Sequence, residues 1–155
     1  YFEKSLVACA ILTSYIPMLS GTGGNSGTQA STAIIRALSL DEVRFSDLFR
    51  VIWKEFRVAL TCGIALAVAN FAKMMLVDCW LLQNPAVTPL VALVVCATLV
   101  GTVLAAKLVG CALPILAEKV GFDPAVMASP FITTIVDAIS LLVYFQFARI
   151  ILGIG

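Results

Sequence analysis

Long apolar stretches separated by short polar segments dominate this sequence and predict helices long enough to cross a membrane. Residues 79–106 contain no charged side chain, whereas a helix needs roughly 20 apolar residues to cross the hydrocarbon layer. A second apolar stretch covers residues 56–77, and its Lys73 lies near enough to the end to extend its ammonium group to the headgroups. A third covers residues 124–149, with one internal charge. The pattern therefore predicts three spanning helices in these stretches.

The first apolar segment has a different pattern, because it leads into a glycine-rich sequence. Residues 6–19 are apolar, residues 21–27 contain four glycines, and helical patterning resumes over residues 28–40. We predict one crossing built of two helical pieces around a glycine-rich break, since irregular backbone at membrane depth is tolerated where it lines a wet cavity or packs in protein. Close helix packing through small residues is the alternative explanation.

Charged and apolar residues alternate at helical spacing over residues 39–55, which is typical of an amphipathic helix lying in the membrane interface. The fold class predicted is thus an all-α membrane protein. It has one domain (residues 1–155), a bundle of four transmembrane helices and an added interfacial helix. The predicted helical segments are residues 4–40, 46–78, 88–118 and 124–152.

Composition supports this fold class and excludes several functions. The chain has 155 residues, of which 61% are hydrophobic and 12% charged; soluble domains have about 25% charged residues. A net charge of +1 gives too little positive charge to attract the phosphate backbone of a nucleic acid. The absence of histidine excludes imidazole metal sites and Ser–His or Cys–His catalytic pairs. We therefore expect neither a soluble enzyme nor a nucleic-acid-binding protein.

The distribution of lysine and arginine predicts the orientation in the membrane. Seven of the ten fall on one side of the predicted crossings, in residues 36–57 and 107–123, and three fall on the other side. Because cytoplasmic loops carry the excess of positive charge, we expect these two segments to be cytoplasmic in a multi-pass plasma-membrane protein. Both ends of the chain then lie outside, and we expect at least one earlier crossing to precede residue 1.

A single carboxylate lies in the middle of the last predicted helix. Thirteen uncharged residues precede Asp137 and eleven follow it, so it lies near the bilayer midplane. An ionised carboxylate there is unfavourable by about 2.5–3.5 kcal/mol even on the most lenient scale. Two explanations stay open: a protonated Asp137 bonded inside the bundle, or a carboxylate that faces a water-filled path and binds cations.

Helical geometry places hydroxyl side chains on the same face as Asp137. At about 100° per residue, this face is a stripe on an otherwise apolar helix, and its members are Ser129, Thr133, Asp137, Ser140 and Tyr144. We predict that the stripe faces water or a partner helix, with Thr133 assisting Asp137 in binding metal and the other hydroxyls lining a path.

The glycine-rich segment and the start of the last helix add further candidates. Gly24, Asn25 and Gln29 offer backbone and side-chain oxygens, which are suited to alkali or alkaline-earth ions. Asp123 directly precedes Pro124, so it is expected to cap the last helix. A structural anchor needs neither a midplane carboxylate nor a glycine-rich break. A cation pathway uses both, and a proton- or sodium-coupled transporter with Asp137 as relay stays open.

Two motifs resemble those of one family. The run from Pro17 to Gln29 contains Gly-Asn-Ser-Gly-Thr-Gln, which is similar to the Gly-Asn-x-Gly-x-Gln signature of the MgtE magnesium channels. Residues 121–125 (Gly-Phe-Asp-Pro-Ala), followed by Asp137, resemble a second signature of that family. The resemblance covers essentially the whole chain.

The resemblance implies a homodimer in the lipid bilayer with five crossings per subunit and an ion path on the two-fold axis. The first and last crossings here would line it, with Asp137 holding hydrated Mg²⁺ and Asp123 binding magnesium at the cytoplasmic mouth. It also implies that cytoplasmic regulatory domains and a first crossing lie upstream of this chain. The function it implies is that of a channel and not of an enzyme. Ser129 stands where the family pattern has Asn. Mn²⁺, Co²⁺ and Ca²⁺ accept the same oxygen ligands, so the sequence does not distinguish them from Mg²⁺ as the transported ion.

Overall fold

The computed structural model describes residues 2–127 and 129–152, with side chains described for residues 10–126 and 130–152. Its helices are α1 (Phe2–Ser39), α2 (Leu48–Lys73), α3 (Pro89–Val120) and α4 (Ser129–Leu152). A 3₁₀ turn, Phe45–Asp47, leads into α2, and another, Pro124–Met127, precedes α4. The last helix therefore begins later than the predicted residue 124.

The glycine-rich segment does not interrupt α1, so the predicted break is wrong. The helix is continuous over 38 residues, including residues 21–27. A Cβ added at Gly23 would lie 2.6 Å from a methyl carbon of Thr102 and 2.8 Å from one of Val136. A Cβ added at Gly110 would collide with the Gly27 carbonyl oxygen. The glycines thus allow close packing against α3 and α4, which was the alternative explanation.

The predicted interfacial helix is also absent as a separate element. Its residues form the 3₁₀ turn and the first turns of α2. Their apolar side chains pack on α1 and α3 of the same subunit, against a cluster that contains Ile34, Leu38, Cys111 and Ile115. A part-buried ion pair between Lys107 and Glu55, 3.3 Å long, connects α3 to the same part of α2. The amphipathic pattern was correct, but much of its apolar face packs on protein, while Phe49 and Trp53 stay 83% and 62% exposed.

Among the described residues, three helices are long and apolar enough to cross a membrane: Phe45–Leu81, Pro89–Val120 and Pro130–Leu152. The first of these includes a π-helical segment, Met74–Leu81, that extends α2. α1 is long enough to cross a membrane, since 38 residues rise about 57 Å. Its many small and polar residues make it less apolar than these three helices require. A fourth crossing by α1 stays a prediction.

α3 occupies the centre of the bundle, with α1, α2 and α4 packed around it. Thr88 caps its first turn by accepting a hydrogen bond from the Val91 N–H at 3.3 Å. Gly121, with φ of 85°, ends it in the left-handed conformation that glycine adopts without strain. Because α3 separates α2 from α4, the long seam between α1 and α4 remains on one side of the subunit.

Candidate functional site

Asp137 lies in this seam, part-buried, with its carboxylate turned toward α1. The Ser20 hydroxyl donates a hydrogen bond to its Oδ1 across the two helices. Among the described side chains, the ion pairs are Lys73–Asp78 and Lys107–Glu55, so no lysine or arginine neutralises Asp137. The sequence alone did not indicate Ser20, because a serine 117 positions away has no periodic relation to Asp137.

Thr133 lies one turn before Asp137 and is also part-buried. Its hydroxyl donates to the Pro130 carbonyl at 3.0 Å, and its methyl carbon would lie 3.1 Å from a Cβ added at Gly24. Gly24 therefore lets α4 approach α1 beside Asp137. The structure brings Thr133, Asp137 and Gly24 together with Ser20 in one seam.

The outward face of α1 next to this seam is polar. Asn25 and Gln29 are exposed. Other exposed positions recur every three or four residues along the helix, and they include Ser14, Pro17, Gly21, Thr32 and Arg36. Such a face is unfavourable against lipid, because the side-chain amides of Asn25 and Gln29 find no hydrogen-bond partner in hydrocarbon. It is suited to water or to a second protein surface.

Two members of the predicted hydroxyl stripe point elsewhere in the subunit. Tyr144 is buried, and its hydroxyl donates to the Leu12 carbonyl at 2.8 Å. Ser140 is buried as well, and its hydroxyl donates to the Val136 carbonyl at 2.6 Å. The Tyr144 bond therefore joins α4 to α1, whereas the Ser140 bond stays within α4. Ser129, which was also predicted to line the path, lies outside the residues whose side chains are described.

Asp123 is exposed in the connection between α3 and α4. Its Oδ1 accepts a hydrogen bond from the Ala125 N–H at 2.9 Å, so the carboxylate caps the 3₁₀ turn and not α4 itself. No contact joins it to Asp137. Within the described residues, no three acidic or thiol side chains lie close enough together to hold a metal ion. One subunit thus offers Asp137 as an isolated carboxylate.

Asp78 is a buried carboxylate that the sequence pattern did not single out. It is only 8% exposed in the π-helical segment, where it accepts a hydrogen bond from the Tyr15 hydroxyl at 2.9 Å. The Lys73 ammonium pairs with it at 2.7 Å. The Lys–Asp spacing of five fits a π-turn, for which the sequence has no periodic signal. This fully partnered carboxylate fastens the end of α2 to α1.

Comparison with known proteins identifies the family of this chain. The family model described as MgtE, divalent cation transporter, matches residues 16–147. The magnesium transporter MgtE of Thermus thermophilus is 39% identical over 151 residues, covering 97% of this chain and 32% of the relative. The corresponding proteins of Bacillus subtilis and Enterococcus faecalis are 34% and 35% identical over 152 and 147 residues. These alignments cover 96% and 95% of this chain and 31% of each relative.

The chain therefore spans about a third of the length of the curated relatives it matches. The family match includes the α1–α4 seam with Ser20, Gly24 and Asp137. Three helices within the described residues are long and apolar enough to cross a membrane. The chain belongs to the MgtE family of divalent cation transporters and is a plasma-membrane protein.

Proposed function

We propose that this chain forms the ion-conducting part of a magnesium channel, in which two copies of Asp137 bind hydrated Mg²⁺ on the axis of a homodimer. The observation that carries the proposal is the unneutralised Asp137 carboxylate in the α1–α4 seam, held by Ser20. A carboxylate at membrane depth is tolerated where it faces water or a counter-ion. A transported cation supplies that counter-ion.

The need for a dimer follows from the single carboxylate and from the polar face of α1. A closed two-fold axis brings the same patch of both subunits together, so one Asp137 per subunit becomes a facing pair. The exposed Asn25 and Gln29 would then lie against water or the partner and not against lipid. Both features are satisfied by a path between the seams of two subunits.

The chemistry of Mg²⁺ fits a wide polar site better than a tight cage. Mg²⁺ loses its water reluctantly and keeps several waters when carboxylates bind it. In the proposal, the Asp137 pair neutralises the ion through these waters, while Thr133, Asn25 and Gln29 contact the hydration shell. Gly24 permits the close helix approach, and Ser140 and Tyr144 support the path from behind. Ser129 would line the path one further turn away.

The proposed flux needs no coupled energy source. An inside-negative potential favours entry of a divalent ion by about 4.6 kcal/mol per 100 mV, at about 2.3 per charge. Asp123, on the side predicted to be cytoplasmic, is proposed to attract magnesium at the mouth of the path. Regulation by cytoplasmic domains is proposed for the whole protein, since this chain matches about a third of the length of each relative.

Flux in liposomes separates this channel from a coupled transporter. We expect Mg²⁺ uptake to follow a potassium-diffusion potential, and to stay within about twofold when a proton or sodium gradient is added, because a channel responds to the potential alone. Protein-free liposomes with the same gradients are the control. Uptake that requires a proton or sodium gradient would favour the relay alternative and contradict the channel.

A further inference from the structure

Tryptophan positions fix the level of α2 in the membrane. Trp53 and Trp80 stand near opposite ends of the Phe45–Leu81 span and are 62% and 76% exposed. The 27 intervening steps correspond to roughly 40 Å of helix, close to the thickness of a bilayer including its headgroups, about 40–45 Å. Since tryptophan favours the headgroup level, residues near Trp53 lie at the lipid headgroups on one side.

A cavity of about 560 Å³ opens at this level, beside the first turns of α2. Its charged and aromatic lining consists of Glu42, Asp47, Arg50, Trp53, Lys54 and Arg57. A second depression of about 260 Å³ shares Lys54 and Arg57 and continues along the helix to Val58 and Thr61. The two form one groove that leads from the apolar part of the span to the polar end.

The three cations in this groove have no carboxylate partner among the described side chains. Arg50, Lys54 and Arg57 recur at the spacing of one helix face, and all three are exposed. The neighbouring Glu55 points to the other side, where it pairs with Lys107; these two side chains are only 16% and 14% exposed. The groove therefore holds three positive groups that form no ion pair with any described side chain.

From the apolar span outward, each charge in the groove is opposite in sign to the charge at the same level of an aminophospholipid. The cations lie nearest the apolar span, and the carboxylates Glu42 and Asp47 lie farther out, before α2 begins. In such a lipid, the acyl chains are followed outward by a phosphate and then by an ammonium group. Basic pockets beside transmembrane helices recognise lipid phosphates, and guanidinium groups bind them through two hydrogen bonds.

We propose that this groove binds the headgroup of an aminophospholipid, with the phosphate against Arg50, Lys54 and Arg57. The ammonium group lies toward Glu42 and Asp47, and the acyl chains follow Val58 and Thr61 along α2. Phosphatidylethanolamine has this chemistry. Phosphatidylglycerol carries the same phosphate, but it lacks the amine that the outer carboxylates recognise.

Native mass spectrometry tests the proposal by measuring how much of each lipid the purified protein binds. The two lipids are supplied in equal amounts and have the same acyl chains. We expect phosphatidylethanolamine to bind at least about threefold better, and R50Q/K54Q/R57Q to lower binding of both lipids at least about tenfold. E42Q/D47N should keep phosphatidylglycerol binding and lose the preference. Inorganic phosphate, which lacks acyl chains, should not displace the lipid.

Arg44→Gln is the matched control, because Arg44 is exposed beside the groove but does not line it. It should bind both lipids as the unaltered protein does. Thermal unfolding of each variant checks that the substitutions leave the fold intact. Equal or weaker binding of phosphatidylethanolamine by the unaltered protein, or unchanged binding by R50Q/K54Q/R57Q, would overturn the proposal.

Discussion

Asp137→Asn is expected to lower Mg²⁺ flux in liposomes at least about a hundredfold, because both negative charges disappear from the proposed site. At an effective dielectric constant of about 20, a carboxylate and a divalent ion attract each other by several kcal/mol across a bridging water. A loss of about 1.4 kcal/mol already lowers binding tenfold. Asparagine has nearly the same size as aspartate, and its amide oxygen can still accept the Ser20 hydrogen bond. The subunit should therefore stay folded, as size-exclusion chromatography can verify.

Two further variants make this result specific. Ser20→Ala removes the donor that orients the Asp137 carboxylate, so the half-saturating Mg²⁺ concentration should rise about tenfold, as for loss of a hydrogen bond to a charged group. Asp78→Asn is the matched control, since Asp78 is also a carboxylate shielded from solvent but is already bonded to Lys73 and Tyr15. It should retain Mg²⁺ flux. Undiminished flux through Asp137→Asn would defeat the assignment of the site.

Gly110→Ala is expected to produce the largest loss of stability. The added methyl group would collide with the backbone carbonyl of Gly27, and a backbone atom cannot turn aside as a side chain can. α1 and α3 must therefore separate along their whole contact. Overpacking of this kind costs about 3 kcal/mol, which corresponds to a fall of roughly 10 °C in the unfolding temperature. Thermal unfolding in detergent measures it.

Gly21→Ala is the control for this experiment, because a Cβ at Gly21 has no neighbour within 4 Å in the subunit. Alanine is the better helix former by about 1 kcal/mol. Its unfolding temperature should therefore stay the same or rise. If Gly110→Ala unfolds at the same temperature as the unaltered protein, the close α1–α3 contact is not present in the membrane protein.

The apolar runs predicted the positions of α2, α3 and α4 well, because length and hydropathy alone define a spanning helix. They could not decide between a broken and a closely packed glycine segment. A glycine lowers helix propensity in either case, and the outcome depends on whether another helix approaches. The Gly27–Gly110 contact, between residues 83 positions apart, decides it in favour of a continuous α1.

The site was predictable in its main residue but not in its surroundings. Asp137 is detectable as a lone charge in a long apolar stretch, and the helical wheel places Thr133 on the same face one turn earlier. The same wheel could not show that Ser140 and Tyr144 point into the subunit. Nor could it find Ser20 or the bonds of Asp78, because these arise from tertiary contacts and from a π-helical turn.

A crystal structure of the protein grown with Mg²⁺ shows whether two Asp137 carboxylates hold one hydrated magnesium ion. We expect ion density on a two-fold axis, about 4–5 Å from the nearest carboxylate oxygen of each copy, because a water lies between them. The proposed site is wrong if the two Asp137 side chains lie far apart, each packed against apolar side chains with no solvent or ion beside it.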